Sequence, residues 1–202
     1  MCHDLLKDAN LWRFLSELDH QIAANVKSRG CPCGGVLHSA CYPRKPRGVA
    51  RKLLCESYES RLSFCCNQDD CRRRCTPPSV RYLGRRVYLG VIVTLVCAIQ
   101  HGLTPKRREY LIKRLPVDRR TLKRWLDWWQ KQFPQTSLWH TLRGQLASPI
   151  AAVALPGALL GVVEGEDFTA RLIRFLGLFM PLTTGSCTHY PTLTVEPQKM
   201  PM

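Results

Sequence analysis

Apolar side chains recur along residues 4–27 at Leu5, Leu6, Trp12, Leu15, Leu18, Ile22 and Val26. These spacings are close to three and four and predict one amphipathic helix, closed by Arg29-Gly30. Its charges balance, so packing, or pairing with another chain, is its expected task. From Cys31 to about Thr76 the helical period disappears. Short β-like pieces at 35–42 and 61–66 are bounded by glycine, proline and cysteine, the layout of a zinc ribbon. After Pro77-Pro78, Arg81, Arg85 and Arg86 alternate with Tyr82 and Leu83, which predicts a segment that packs on one side and presents charge on the other.

Residues 88–101 are apolar nearly all round and predict a central helix, stopped by Gly102. Thr104-Pro105 has the form of a cap followed by proline at the first helical position, opening a second helix to about residue 114. A tight turn at 115–117 follows. Asp118 then caps a third helix whose inner stripe is Leu122, Trp125, Leu126 and Trp129, with Trp128 partly exposed. Two short helices around a tight turn, the second basic at its start, predict a helix-turn-helix. Residues 137–146 form a further helix with Trp139 and Leu142 inward, residues 150–160 are apolar and Ala-rich, and 168–180 carry Leu172, Phe175, Leu176 and Phe179 on one side. The neutral, Leu- and Phe-rich C-terminal part is read as a surface for self-association or a protein partner. The expected fold is mainly α with a small β zinc ribbon. Its expected parts are an N-terminal helix (1–29), a ribbon with a basic arm (30–78), a helix-turn-helix domain (79–134), C-terminal helices (135–182) and a disordered tail (183–202).

Charge sharpens this picture. The 202 residues carry a net +15, and the excess lies in residues 41–131, with 22 basic against 7 acidic side chains. A basic block between neutral flanks points to a polyanion partner, above all double-stranded DNA. No basic amphipathic helix with a broad apolar face suggests a membrane surface. The longest apolar run, 87–100, is about half of what a bilayer needs and reads as a buried helix. The start of the chain, with Asp4 and Asp8, lacks a charged-then-apolar leader, so a reducing, cytoplasmic setting is expected. There, eleven cysteines read as metal ligands where clustered and as small core residues where scattered, as for Cys97.

The clustered thiols give a closed four-ligand zinc site from Cys31, Cys33, Cys66 and Cys71. The first pair is one residue shorter than the usual Cys-Pro-x-Cys-Gly knuckle. Cys65 competes with Cys66, since neighbours on a strand point to opposite faces, and Cys41, Cys55, Cys75 and His38 are alternative donors. Candidate DNA contacts are Arg119, Arg120 and Lys123 for base edges, Thr121 for a phosphate, and Arg124 on the same outer face. Arg44, Lys45 and Arg47 belong to an extended, proline-stiffened arm suited to a phosphate backbone or a minor groove. Arg72, Arg73 and Arg74 flank the thiols, and Arg85 and Arg86 complete the basic set.

The motifs Cys-Pro-Cys-Gly-Gly (31–35), Tyr-Pro-Arg-Lys-Pro-Arg-Gly (42–48), Phe-Cys-Cys with Cys-Arg-Arg-Arg (64–74), 76–88 and Arg-Thr-Leu-Lys-Arg-Trp (120–125) resemble a family of bacterial zinc-ribbon and helix-turn-helix proteins. These are companions of transposases and recombinases on mobile elements. The resemblance covers about residues 31–145 and implies a DNA-binding accessory factor in transposition or recombination. Pro116 stands where the turn commonly has glycine, and Cys75 is an added thiol.

Catalysis is not expected. A triad of metal-binding carboxylates needs a ribonuclease-H-like sheet, whereas Asp118, Asp127, Glu164 and Glu166 lie on or between predicted helices. The sequence thus reads as a non-catalytic, zinc-dependent DNA-binding protein. A ribbon adaptor for a protein or RNA partner is the alternative, and a degenerate transposase the third reading.

Overall fold

Asp8 caps the first helix by accepting the Asn10 N–H at 2.8 Å, and α1 runs Ala9–Ser28. It stops where Gly30 takes a positive φ of 70° and returns its N–H to the Lys27 carbonyl. The computed structural model describes residues 7–44, 51–54, 56–83, 88–89, 109, 118–187 and 190. Leu5, Leu6, Lys45, Arg47, Arg85, Arg86 and most of the first two helices expected for the helix-turn-helix lie outside them.

Among the described residues, three small antiparallel sheets follow α1. Strands β1 (Leu37–Ser39), β4 (Phe64–Cys66) and β5 (Arg74–Cys75) form one in the order β1-β4-β5, with Leu37 opposite Cys66 and Phe64 opposite Cys75. β2 (Tyr42–Pro43) pairs with β3 (Ser60–Arg61), and β6 (Tyr82–Leu83) with β7 (Tyr88–Leu89). Residues 88–89 therefore open as a strand, not as the start of a helix, because Tyr82 and Leu83 offer them a hairpin partner. Arg44 likewise sits at the end of a paired strand, its N–H bound to the Glu59 carbonyl at 2.5 Å.

Among the described residues, four more helices complete the fold: α2 (Arg119–Asp127), α3 (Ser137–Arg143), α4 (Gly157–Val162) and α5 (Phe168–Leu178). Asp118, Thr136 and Asp167 cap α2, α3 and α5 through their side chains. Past α2 the chain loosens into a π turn, Trp128–Gln132, which carries Trp129 into the core. There Trp129 meets Phe133 and Phe179 edge-on at ring distances of 5.0 Å each, and Trp139 joins Phe133 at 5.4 Å. Leu172, Phe175, Leu176 and Phe179, the stripe expected to face a partner, are buried in this same core. The C-terminal helices spend that surface on their own chain.

One core unites α1, Tyr58, β6 and α2 to α5; a smaller one gathers Ala23, Val26, Cys31, Leu37, Phe64 and Cys66. α1 lies on both. One turn before Ala23, Asp19 of α1 is buried with Arg81, the pair at 2.7 Å with neither side chain exposed. Asp19 also accepts the Ser79 hydroxyl at 2.5 Å and the Val80 N–H at 2.8 Å. Arg81 reaches the carbonyls of Tyr58 and Ser60 and lies over the Tyr58 ring at 4.9 Å. Burial alone would lower its pKa, but Asp19 beside it outweighs this and holds it above the ordinary value. The alternation that assigned Arg81 to a solvent face thus fails, because the carboxylate on α1 draws the guanidinium inward.

The segment from 183, expected to be a tail, begins as part of the fold. Thr183 accepts the Ser79 N–H, Thr184 donates to the Thr76 carbonyl at 2.6 Å, and the Ser186 hydroxyl accepts the Thr76 N–H at 2.9 Å. These hydroxyls complete the backbone of 76–79. Among the described residues, no helix is long and apolar enough to cross a membrane.

Removing one member of a buried ion pair strands the other. Asp19→Ala should lower the unfolding free energy by about 3–5 kcal/mol, whereas the double replacement Asp19→Leu with Arg81→Met should recover most of the loss. Urea unfolding monitored by tryptophan fluorescence reads both; a D19A protein as stable as the parent would show that the pair is not structural.

Candidate metal centre

Two tight turns bring four thiols together. In the first, residues 31–35, the Gly34 N–H closes on the Cys31 carbonyl at 2.8 Å and the Cys31 N–H on the Gly35 carbonyl at 2.9 Å. Gly34 adopts a φ of 86°, which suits glycine. Gly35 is needed for a different reason, since a Cβ there would stand 2.6 Å from the Cys66 sulfur. The second turn, residues 66–71, leaves β4 and closes by the Cys71 and Arg72 N–H groups on the Gln68 carbonyl. Asn67 locks the two turns to one another, its carboxamide oxygen accepting the Val36 N–H at 2.9 Å and its own N–H bonding the Val36 carbonyl at 3.0 Å.

The sulfurs of Cys31, Cys33, Cys66 and Cys71 all lie within 4.8 Å of one another, with Cys31 and Cys71 at 3.7 Å and Cys33 and Cys66 at 3.5 Å. A tetrahedron with metal–sulfur bonds of about 2.3 Å has sulfurs about 3.8 Å apart, so this donor set fits one soft cation. The ligand set expected from sequence is the one the fold assembles. The pleat decides between Cys65 and Cys66: Cys66 shares its face with Leu37 and is buried, while Cys65 turns to the His38 side and donates to the Arg72 carbonyl. His38 is excluded for the same reason. Cys41 contacts the Ser63 carbonyl, and Cys75 stands outside the four-thiol group.

Backbone N–H groups already point at these sulfurs: Gly35 to Cys33, Gln68 to Cys66 and Arg73 to Cys71, each two residues on. The Gly35 N–H, with the thiols of Cys31, Cys66 and Cys71, brings Cys33 down to about 7. At Cys66 the Gln68 N–H favours the thiolate, but burial and the sulfurs of Cys33, Cys31 and Cys71 outweigh it and push the group up to about 12. Cys71 is raised as well: the Arg73 N–H is overcome by Cys33, burial and Cys31. One negative sulfur is thus easily formed and further ones are resisted, a penalty that a bound dication removes.

The arginine run is part of the same construction. Arg73 gives its N–H to the Cys71 sulfur and its carbonyl to the Cys66 N–H, and Arg74 is paired with Cys65 in β5. Arg72 is held at a φ of 40° and its guanidinium meets Asp69. All three side chains remain exposed. Across the sheet edge, the guanidiniums of Arg44 and Arg74 lie over the Tyr42 ring, at 4.9 Å and 5.6 Å. Tyr42 was not singled out in the sequence, although its place two residues before Arg44 marks it as an aromatic among cations.

On α2 the expected outer face is realised by Arg119, Arg120, Lys123 and Arg124, which are exposed. Arg119 has Glu109 at 3.8 Å, with both side chains mostly in solvent. Thr121 is corrected. It is 2% exposed, its N–H bonds Asp118 at 2.7 Å and its hydroxyl accepts from Arg124, so it serves the helix cap and cannot reach a phosphate.

No protein-family model matches the chain, and neither a curated protein nor a solved structure matches it. What these groups do is therefore argued from the residues themselves.

A cation displaces protons from Cys66 and Cys71 at neutral pH, and below pH 7 it must also displace one from Cys33. Metal affinity should therefore rise by at least ~100-fold per pH unit near neutrality, with two or more protons released per ion, as calorimetry in buffers of different ionisation enthalpy would show. pH-independent affinity would exclude a thiolate site. Gly35→Ala should expel the ion at unchanged pH, read as lost metal in mass spectrometry of the native protein.

Proposed function

We propose that the chain is a non-catalytic nucleic-acid-binding protein in which a zinc ion, held by Cys31, Cys33, Cys66 and Cys71, fixes a basic loop against duplex phosphates. Four thiolates in a tetrahedron favour zinc over harder cations. The observation that carries the reading is the Tyr42 patch, where the half-buried Arg44 and the exposed Arg74 set their guanidiniums over one half-buried aromatic ring. Arg73 adds an exposed cation next to Arg74 in the chain, on a backbone tied at both ends to the clustered cysteines. Cations whose backbone is already ordered lose less entropy when they meet a polyanion. Arg72 adds a second support. Its left-handed backbone would suit glycine, so an arginine there trades local stability for charge.

The outer face of α2 supplies further cations, from Arg119 to Arg124. The resemblance of residues 31–145 to mobile-element ribbon proteins points the same way, to a companion that positions recombination machinery on DNA. No carboxylate group is assigned a chemical step in this reading.

Fluorescence anisotropy on a duplex between about 50 and about 200 mM salt tests it. Affinity should fall steeply with salt, and the combined Arg44→Ala, Arg73→Ala and Arg74→Ala variant should flatten the log–log slope by roughly 3. Chelating the metal should weaken binding through the same loop. Arg72→Gly should gain about 1 kcal/mol of stability while lowering the slope by roughly 1. Binding that ignores salt, or that survives loss of all three arginines, would overturn the assignment.

A further inference from the structure

Two thiols beside the metal centre do not belong to it. Cys75 is the last residue of β5, opposite Phe64, and Cys187 follows the hydroxyl-rich segment that is laid against residues 76–79. The hydrogen bond of Ser186 to Thr76 sets the next residue of one segment beside the previous residue of the other, and the Cys75 and Cys187 thiols are hydrogen-bonded. Both pack on the small core that contains Cys31 and Cys66, and both are only half-buried. They stand outside the four-thiol group, so a metal ion there does not occupy them.

We propose that Cys75 and Cys187 form a reversible disulfide by exchange with a low-molecular-weight disulfide, latching the segment 183–187 onto the ribbon edge. One protein thiol loses its proton and attacks a sulfur of the small disulfide, releasing one small thiol and leaving a mixed disulfide. The second protein thiol, deprotonated in turn, attacks the protein-side sulfur, closes the Cys75–Cys187 bond and releases the second small thiol. Two protein thiols are oxidised and one small disulfide is reduced to two thiols. The contact between the two sulfurs supplies the proximity that makes the second step faster than attack by a second small molecule. The Thr76, Thr184 and Ser186 bonds already hold the two segments side by side, so the bond closes between stretches of chain that are in register.

The bond closes a loop of more than a hundred residues, which restricts the unfolded chain strongly. Full-length, zinc-loaded protein equilibrated in reduced and oxidised glutathione, quenched in acid, alkylated and digested should give a peptide cross-linked through Cys75 and Cys187 before any other, with the zinc retained. Its thermal midpoint should rise by roughly 5–10 °C on oxidation and return on reduction. Cys187→Ser should melt with the parent under reducing conditions and show no such rise. Separate glutathione adducts on the two residues without a cross-link would overturn the proposal. So would a first bond that engages Cys31, Cys33, Cys66 or Cys71 and releases the metal. The peptide map of the unsubstituted protein decides the matter even if the variant folds poorly.

Discussion

The fold turns on a charge pair that water does not reach. Asp19 sits partway along α1, between Leu15 and Ile22 of the large core and one turn before Ala23 of the thiol-lined core, and Arg81 enters from the position just before β6. Taking two charges out of water is costly, so such a pair persists only when its remaining hydrogen-bonding capacity is met. Here it is met from several directions: Ser79 and Val80 on the carboxylate, and Ser16, Tyr58 and Ser60 on the guanidinium. These groups come from three stretches of chain, α1, residues 58–60 and residues 79–80, so the pair sets their relative position at one point. Arg61 crowds the same region, giving its Nη2 proton to the Pro77 carbonyl at 2.5 Å, and burial lowers its pKa.

The small core has a different basis. Six buried residues, two of them cysteines, are too few to hold three short strands by apolar burial alone, and small cores of this kind depend on a staple. The four thiols provide one, and the N–H groups aimed at their sulfurs show that the two turns are built for negative charge there. The consequence reaches the surface, because the residues that follow the last thiol are the three arginines. A cation held by the sulfurs, as proposed, would order the backbone from which positive charge is displayed. Structure and proposed binding share the same few peptide groups.

The C-terminal helices close the large core. The π turn after α2 turns Trp129 toward Phe133, Phe175 and Phe179, and α5 lays its whole apolar stripe over that cluster. What reads as a sticky surface in one dimension is the lid of the chain's own interior. Beyond α5, hydroxyl side chains rather than a strand satisfy the backbone of 76–79, which is why a stretch without hydrophobic period is ordered at its start.

Local chemistry was legible in the residues themselves. The period of α1, the cap at Asp118, and the stripe Leu122, Trp125, Trp129 depend on near neighbours in the chain, as does the glycine-bearing turn after Cys31. The four-thiol set was legible too, since two turns rich in cysteine have few other ways to meet. The partners across long distances in sequence were not. Arg81 looked like a solvent cation until a carboxylate sixty-two residues earlier claimed it. Composition and spacing determine which groups are available and which short elements they form. Which charge is buried, which apolar face is covered and which thiol joins the four-sulfur group are decided by what the folded chain places opposite each of them, because desolvation depends on neighbours that no local window contains.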